Sequence, residues 1–223
     1  MKKSKKMITR LILAVFCFFA LIQANYAWGP VGHQTIAYIA EDHLTPTAKQ
    51  KVYTILGLDE TQDMASVATW ADDVRIQPKY KPTASWHYID FDVRMDNTVD
   101  DYVKYCPNDD CVVAQIEKKI AELKTTTDET KQNEDLKFLI HFVGDVHCPM
   151  HSVDDNDKGG NLKTVKLFKP DGTGRGNTMK LHAVWDRLIE SKTSEDPREL
   201  ADQLEKKITK KSIADLQKGT AKD

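Results

Sequence analysis

His141 and Asp145 (HFVGD) stand four residues apart, and so do His182 and Asp186 (HAVWD). On a helix that spacing puts both side chains on one face, with about 5–6 Å between Cβ atoms. An imidazole nitrogen and a carboxylate oxygen can then grip one cation. A single pair reads most simply as an ion pair. Two pairs on otherwise apolar helices are harder to read that way, because buried Asp is rare unless it is paired or holds a metal. His151 follows across Pro149, so the helix ends near there and His151 comes from the loop beyond it. Trp70-Ala71-Asp72 and Trp86-His87-Tyr88 each set a ligand-type residue beside a tryptophan, and His33 lies near a Gly-Pro turn. Imidazole and carboxylate donors fit zinc, which takes both in catalytic sites that keep a position open for water. The same donors also suit manganese or iron.

Taken together, Trp28-Gly29-x-x-Gly32-His33, Trp70-Ala71-Asp72, Trp86-His87-Tyr88-Ile89-Asp90, His141-x-x-x-Asp145-x-His147-x-Pro149-x-His151, Gly159-Gly160-Asn161 and His182-x-x-x-Asp186 resemble the S1/P1 nuclease family in order and spacing. The resemblance implies a mostly helical domain with three zinc ions in one cleft. By position, Asp72, His87, His141 and Asp145 would hold the first zinc, and His151, His182 and Asp186 the second. Trp28, through its free α-amine and carbonyl, would hold the third with His33 and the shared Asp145. It also implies hydrolysis of single-stranded DNA and RNA to 5′-phosphates, with 3′-nucleotidase action left open. Asp72 and Asp145 would serve catalysis through the metal. Arg75 falls where the family has a basic residue near the phosphate, although a solvated helix arginine fits it equally well. Asn161 would donate to the phosphate or simply serve its turn. Tyr88 and Asp90 fall at the base-binding positions: Tyr88 would stack on a base or pack in the core, and Asp90 would accept from a base amino group. His147 would orient a ligand, and His43 is ordinary helix surface.

Two rival readings bear on the same residues. A zinc-dependent phospholipase C has similar ligand logic, but usually carries Glu where Asp186 stands, and the Tyr88/Asp90 pair favours the nuclease. A zinc-binding protein without catalysis has no need of so full a clustered ligand set.

The elements that position these residues are helical. Ile36, Ala37, Ile39 and Ala40 lie between His33 and His43; Thr45-Pro46 opens a second helix that runs through Leu56 to Gly57. Met64 to Val74 reads as one helix. Val112, Ile116, Ile120 and Leu123 recur at helical spacing, as do Leu136, Leu139, Ile140 and Val143, then Leu181, Val184, Trp185 and Leu188, then Leu200, Leu204 and Ile208. Lys163 to Phe168 (KTVKLF) is the best strand, half of a hairpin closing at Gly174 to Gly176, and Asp154 to Gly160 (DDNDKGG) is a polar turn. The expected fold is all-α, of the phospholipase C/P1 nuclease type, with a small β-hairpin excursion.

The 223 residues are 40% hydrophobic and 30% charged, an ordinary soluble composition that excludes collagen-like and polytopic membrane classes. Residues 1–27 carry a basic segment (Lys2, Lys3, Lys5, Lys6, Arg10), an apolar run from Leu11 to Ile22, and Ala27 before Trp28. They read as a signal peptide, because the run is too short to span a bilayer comfortably. Residues 28–223 then form one domain, periplasmic or secreted, monomeric and without stable membrane association. Cleavage before Trp28 would expose the α-amine, so the uncut chain is expected to be inactive. Without the five basic residues, 27 remain against 34 acidic ones, a net charge of −7, which argues against a general basic surface for nucleic acid. The resemblance also implies a further helical segment after Asp223, so the chain is expected to be short at its C-terminus. Export allows disulfides. Cys106 and Cys111 flank a Pro-Asn-Asp turn and suit a short disulfide loop. Cys148 sits among histidines and acids (DVHCPMH) and reads as a zinc ligand or as a packed thiol, the commoner state.

Overall fold

The computed structural model describes residues 28–95, 101–168, 176–192, 196–208, 218, 220 and 221. The signal segment and the turn expected to close the hairpin near Gly174 lie outside them. Helix α1 (Pro30–Asp42) opens on Pro30, whose fixed φ suits a first turn. Helix α2 (Pro46–Leu56) begins at Thr45, whose hydroxyl accepts from the Ala48 amide, and ends at Gly57 with φ +70°. The chain then departs from the expected single helix over Met64–Val74. A 3₁₀ turn covers Met64–Val67 and the short helix α3 covers Trp70–Val74. The break has a tertiary cause: the Ala68 carbonyl between the two pieces accepts a hydrogen bond from His141 Nδ1 at 2.8 Å.

A 3₁₀ segment, Lys81–His87, leads to extended backbone at Tyr88. Strand β1 (Phe91–Asp92) and helix α4 (Tyr102–Tyr105) follow, then the long helices α5 (Val112–Thr125) and α6 (Glu129–Val146). Past a 3₁₀ turn at Pro149–His151, strand β2 (Val153–Asp154) pairs in parallel with β1, a two-residue contact not visible in the sequence. Strands β3 (Thr164–Leu167) and β4 (Asn177–Lys180) form the expected antiparallel hairpin, and helices α7 (Leu181–Lys192) and α8 (Pro197–Glu205) complete the order.

Helix α6 is the central element, packed by α5, α1, α2 and α3. Its Phe138 and Phe142 join one apolar cluster with Ala71, Ile89, Val112 and Ile116. Its Leu136 and Ile140 join another with Ala37, Met64, Ala65 and Ala68. His141, Gly144 and Asp145 lie between these stripes and are also buried, so α6 is covered on most of its circumference. Gly144 is needed for that packing, because a Cβ there would overlap the His33 ring on α1. His43 is exposed at the end of α1, the helix surface expected, and there hydrogen-bonds Glu205 of α8 at 2.9 Å.

Cys106 and Cys111 are joined in a disulfide, and both are 2% exposed. The bridge spans a sequence separation of 5, for which the chain-entropy relation gives about 2 kcal/mol. Changing both to serine should lower the unfolding free energy by about that amount in urea titration. An unchanged midpoint would mean that the denatured chain already holds the turn.

Candidate metal centre

Four side chains from three elements converge at the end of α6. Asp72 comes from α3, His87 from the end of its 3₁₀ segment, and His141 and Asp145 from α6. All four are buried, Asp72 the most exposed at 5%. Their donor atoms form a cage. His87 Nδ1 lies 3.1 Å from His141 Nε2 and 3.0 Å from Asp145 Oδ2. His141 Nε2 is 3.2 Å from Asp145 Oδ2, and Asp72 Oδ1 is 3.7 Å from His87 Nδ1 and 3.8 Å from His141 Nε2. A tetrahedral zinc with ligand bonds of about 2.0–2.1 Å has edges of about 3.3 Å. The five measured edges bracket that length.

The protonation pattern supports the same reading. His141 Nδ1 faces the Ala68 carbonyl, so Nδ1 carries a proton and Nε2 is the nitrogen left to face the cage. Both Asp72 oxygens and Asp145 Oδ1 are buried without a hydrogen bond. Burial opposes a charge on Asp145, yet the imidazoles of His141 and His87 outweigh it and hold the carboxyl well below the usual carboxylate range. Burial likewise opposes a charge on His141, but Asp145 and Asp72 raise it to about 9. Two carboxylates in so dry a pocket require a compensating cation, and the donor set and spacing suit a divalent ion.

A second cluster adjoins the first. His151 Nε2 and His182 Nε2 face each other at 3.2 Å, while their Nδ1 atoms donate to the His87 and Gly159 carbonyls at 2.6 and 2.7 Å. Two lone pairs thus point at one spot, and Asp186 Oδ1 lies 3.7 Å from His182 Nε2. Burial lowers both histidines, keeping them neutral and fit to ligate. The Gly159 carbonyl is presented by the DDNDKGG turn, where Gly159 and Gly160 have φ of +55° and +81° and a Cβ on Gly159 would meet the Met150 carbonyl. His33 stacks on His141 with ring centroids 4.0 Å apart and places Nε2 3.7 Å from Asp145 Oδ1. Trp28 is tethered beside these groups. Its ring lies over Gly32, and the Gly29 amide donates to the Asp186 carbonyl at 2.9 Å. Asp145 therefore sits at the junction, with Oδ2 toward the cage and Oδ1 toward His33 and His151.

A sequence model described as S1/P1 Nuclease matches residues 28–223. The chain belongs to the S1/P1 nuclease family. It is 34% identical over 172 residues to Nuclease S1 of Aspergillus oryzae, which covers 75% of this chain and 56% of that protein. It is 32% identical over 167 residues to Nuclease P1 of Penicillium citrinum, covering 74% and 59%. With Endonuclease 2 of Arabidopsis thaliana the identity is 30% over 197 residues, covering 82% and 62%. The chain thus spans under two thirds of the length of these S1/P1 relatives.

The remaining positions expected from the S1/P1 pattern line a cleft of about 440 Å³ over the clusters: Arg75, Tyr88, Asp90 and Asn161 all border it. Extended backbone sorts the His87–Asp90 segment, with His87 and Ile89 turned inward and Tyr88 and Asp90 outward. Tyr88 is 40% exposed, so it faces the cleft and not the core. Burial, then Asp154, raises the Asp90 carboxyl. Arg75 Nη1 is 3.4 Å from Asp72 Oδ1, which ties the guanidinium to the cage wall. Asn161 Nδ2 donates to the Lys158 carbonyl at 3.0 Å. His147 differs from expectation. It is exposed and its Nδ1 donates to the Val143 carbonyl of its own helix, so it orients no candidate ligand. Lys158 also lines the cleft and was not singled out; its place directly before Gly159-Gly160-Asn161 was the available signal. Cys148 is fully buried, and burial pushes its thiol up to about 12.

Proposed function

We propose that this chain is a zinc-dependent hydrolase that cleaves phosphodiester bonds of single-stranded DNA and RNA to 5′-phosphate products. The observation that carries the reading is the buried four-donor cage of Asp72, His87, His141 and Asp145. In this proposal these four hold one zinc and His151, His182 and Asp186 a second. Trp28, His33 and Asp145 hold a third. Bound zinc supplies Lewis acidity toward phosphoryl oxygens and brings the pKa of water from 15.7 to about 7.

The protein groups bind and orient the substrate. The Arg75 guanidinium at the cage wall suits the charge of a phosphate, and Asn161 offers an amide donor across the cleft. Tyr88 provides a stacking face for a base, and Asp90 an acceptor for a base amino group. Stacking needs an unpaired base, hence the preference for single strands, and few base-edge contacts imply little sequence specificity. Residues 1–27 serve as an export signal in this reading, the Cys106–Cys111 disulfide fits an oxidising compartment, and the mature protein acts as a monomer. Among the described residues no helix is long and apolar enough to cross a membrane.

The deciding experiment incubates the protein with single-stranded DNA and RNA, with zinc and with chelator. Zinc-dependent loss of both with 5′-phosphate ends is expected. Hydrolysis of a choline phospholipid with no cleavage of either nucleic acid would overturn the assignment. Tyr88→Ala should lower kcat/KM on single-stranded DNA by about 5- to 150-fold, since a base–aromatic stack contributes about 1–3 kcal/mol, while Tyr88→Phe retains most activity. Equal losses in both variants would remove stacking from the account.

A further inference from the structure

We propose that Cys148 is a fourth donor to the second metal position, its Sγ joining His151 Nε2, His182 Nε2 and the Asp186 carboxylate. The proposal rests on the metal-dependent reading given above and adds a ligand to it.

Two independent observations carry it. The first is placement. Cys148, His151 and Asp186 each present a ligand atom within 4.8 Å of the other two, and all three residues are buried. Cys148 is 0% exposed and is not in a disulfide. Its position is fixed by the turn after α6: its amide donates to the Asp145 carbonyl at 2.9 Å, and its carbonyl accepts from the His151 amide at 2.9 Å. These bonds hold the Cys148 backbone beside the ligands, and its side chain is shut off from solvent. The second observation is the pair of facing imidazoles. With both Nδ1 protons committed to carbonyls, the His151 and His182 Nε2 lone pairs converge at 3.2 Å. That arrangement is repulsive unless a cation lies against both. His151, which the sulfur adjoins, thus borders a cation position on evidence that does not involve the sulfur.

Sulfur changes the character of such a site. Two imidazoles and one carboxylate form the open, three-ligand type, and a thiolate completes the four-coordinate type that holds zinc closely. A soft thiolate also selects zinc over hard ions such as magnesium or manganese. On coordination the S–H proton leaves to solvent as the sulfur–metal bond forms, and no oxidant or reductant takes part.

Cobalt(II) is the probe, since it takes zinc sites and its spectrum reports sulfur. The full chain, stripped by chelator, is titrated with cobalt(II) alone, alongside Cys148→Ser and Cys148→Ala. The expected result is visible ligand-field bands together with a near-ultraviolet sulfur-to-cobalt band. The sulfur band is lost in both variants while the ligand-field bands stay. X-ray absorption of the zinc-loaded, unsubstituted chain should show a sulfur shell at about 2.3 Å, a readout that needs no variant to fold. Ligand-field bands without a sulfur band would overturn the proposal and leave the metal centre standing. A sulfur band that persists in both variants would assign the sulfur elsewhere, to Met150 or Cys17, and overturn it too. No cobalt uptake at all would overturn both this proposal and the reading it rests on.

Discussion

With Asp145 changed to asparagine, the proposed cleavage of single-stranded DNA should fall by at least about 10³-fold, or about 4 kcal/mol of transition-state stabilisation. The variant should also lose bound metal. The side chain keeps its size, so the effect is one of charge and lone pairs. Asp145 is 0% exposed and its two oxygens serve different neighbours. Oδ2 closes the cage with His87 and His141, and Oδ1 faces His33 at 3.7 Å and His151 at 3.5 Å. An amide turns an N–H toward one of these groups and removes a negative charge that all of them share. No other described carboxylate stands between both clusters, so none can substitute. The measurements are metal content per chain and initial rate, with circular dichroism to show that the fold persists. Asp155→Asn on the exposed DDNDKGG turn is the control, expected to leave both unchanged. Activity near the parent level with full metal content in Asp145→Asn would remove this carboxylate from the centre.

The cage was legible in the sequence because its core is local. His141 and Asp145 share a helix face by spacing alone, and the same holds for His182 and Asp186. His33, Asp72 and His87 come from three other elements, and only the ordered pattern of the whole chain pointed to them. The places where sequence reasoning failed are those decided by tertiary contacts. Met64–Val74 has helical spacing throughout, yet it breaks at Ala68 because His141 takes that carbonyl. A continuous helix would spend the carbonyl on its own ladder. The two-residue pairing of β1 with β2 carries no periodicity, but it fixes the return of the chain past His151, whose carbonyl accepts the Ile89 amide at 2.8 Å. His147 lies among ligand-type residues in sequence, but it faces solvent at the helix end, while Cys148 and His151 turn inward. Proximity along the chain and proximity in space part company within four residues.

The second large effect is on stability. Chelation should lower the melting temperature of the zinc-loaded protein by at least about 8 °C. An ion at 1,000 times its dissociation constant stabilises by about 4 kcal/mol, and 1 kcal/mol corresponds to about 2–4 °C for a chain of this size. The physical source is the cage itself, where Asp72 and Asp145 are buried and need a cation. The effect has a definite pH dependence. In the chelated protein a proton on His141 fills that need, and its pKa is raised from the ordinary 6.5 to about 9, with Asp145 and Asp72 outweighing burial. A folded-state value above the unfolded one gives stability that is fully present below 6.5 and lost as the pH rises through 9. The chelated protein should therefore melt at progressively lower temperature from pH 6.5 to 9. The zinc-loaded protein does not share this decline, because metal and proton compete for the same nitrogen. The gap between the two should widen with pH, by up to about 1.4 kcal/mol per unit over that range. A chelator effect that is absent, or that shrinks as the pH rises, would mean that His141 does not exchange its proton for a metal.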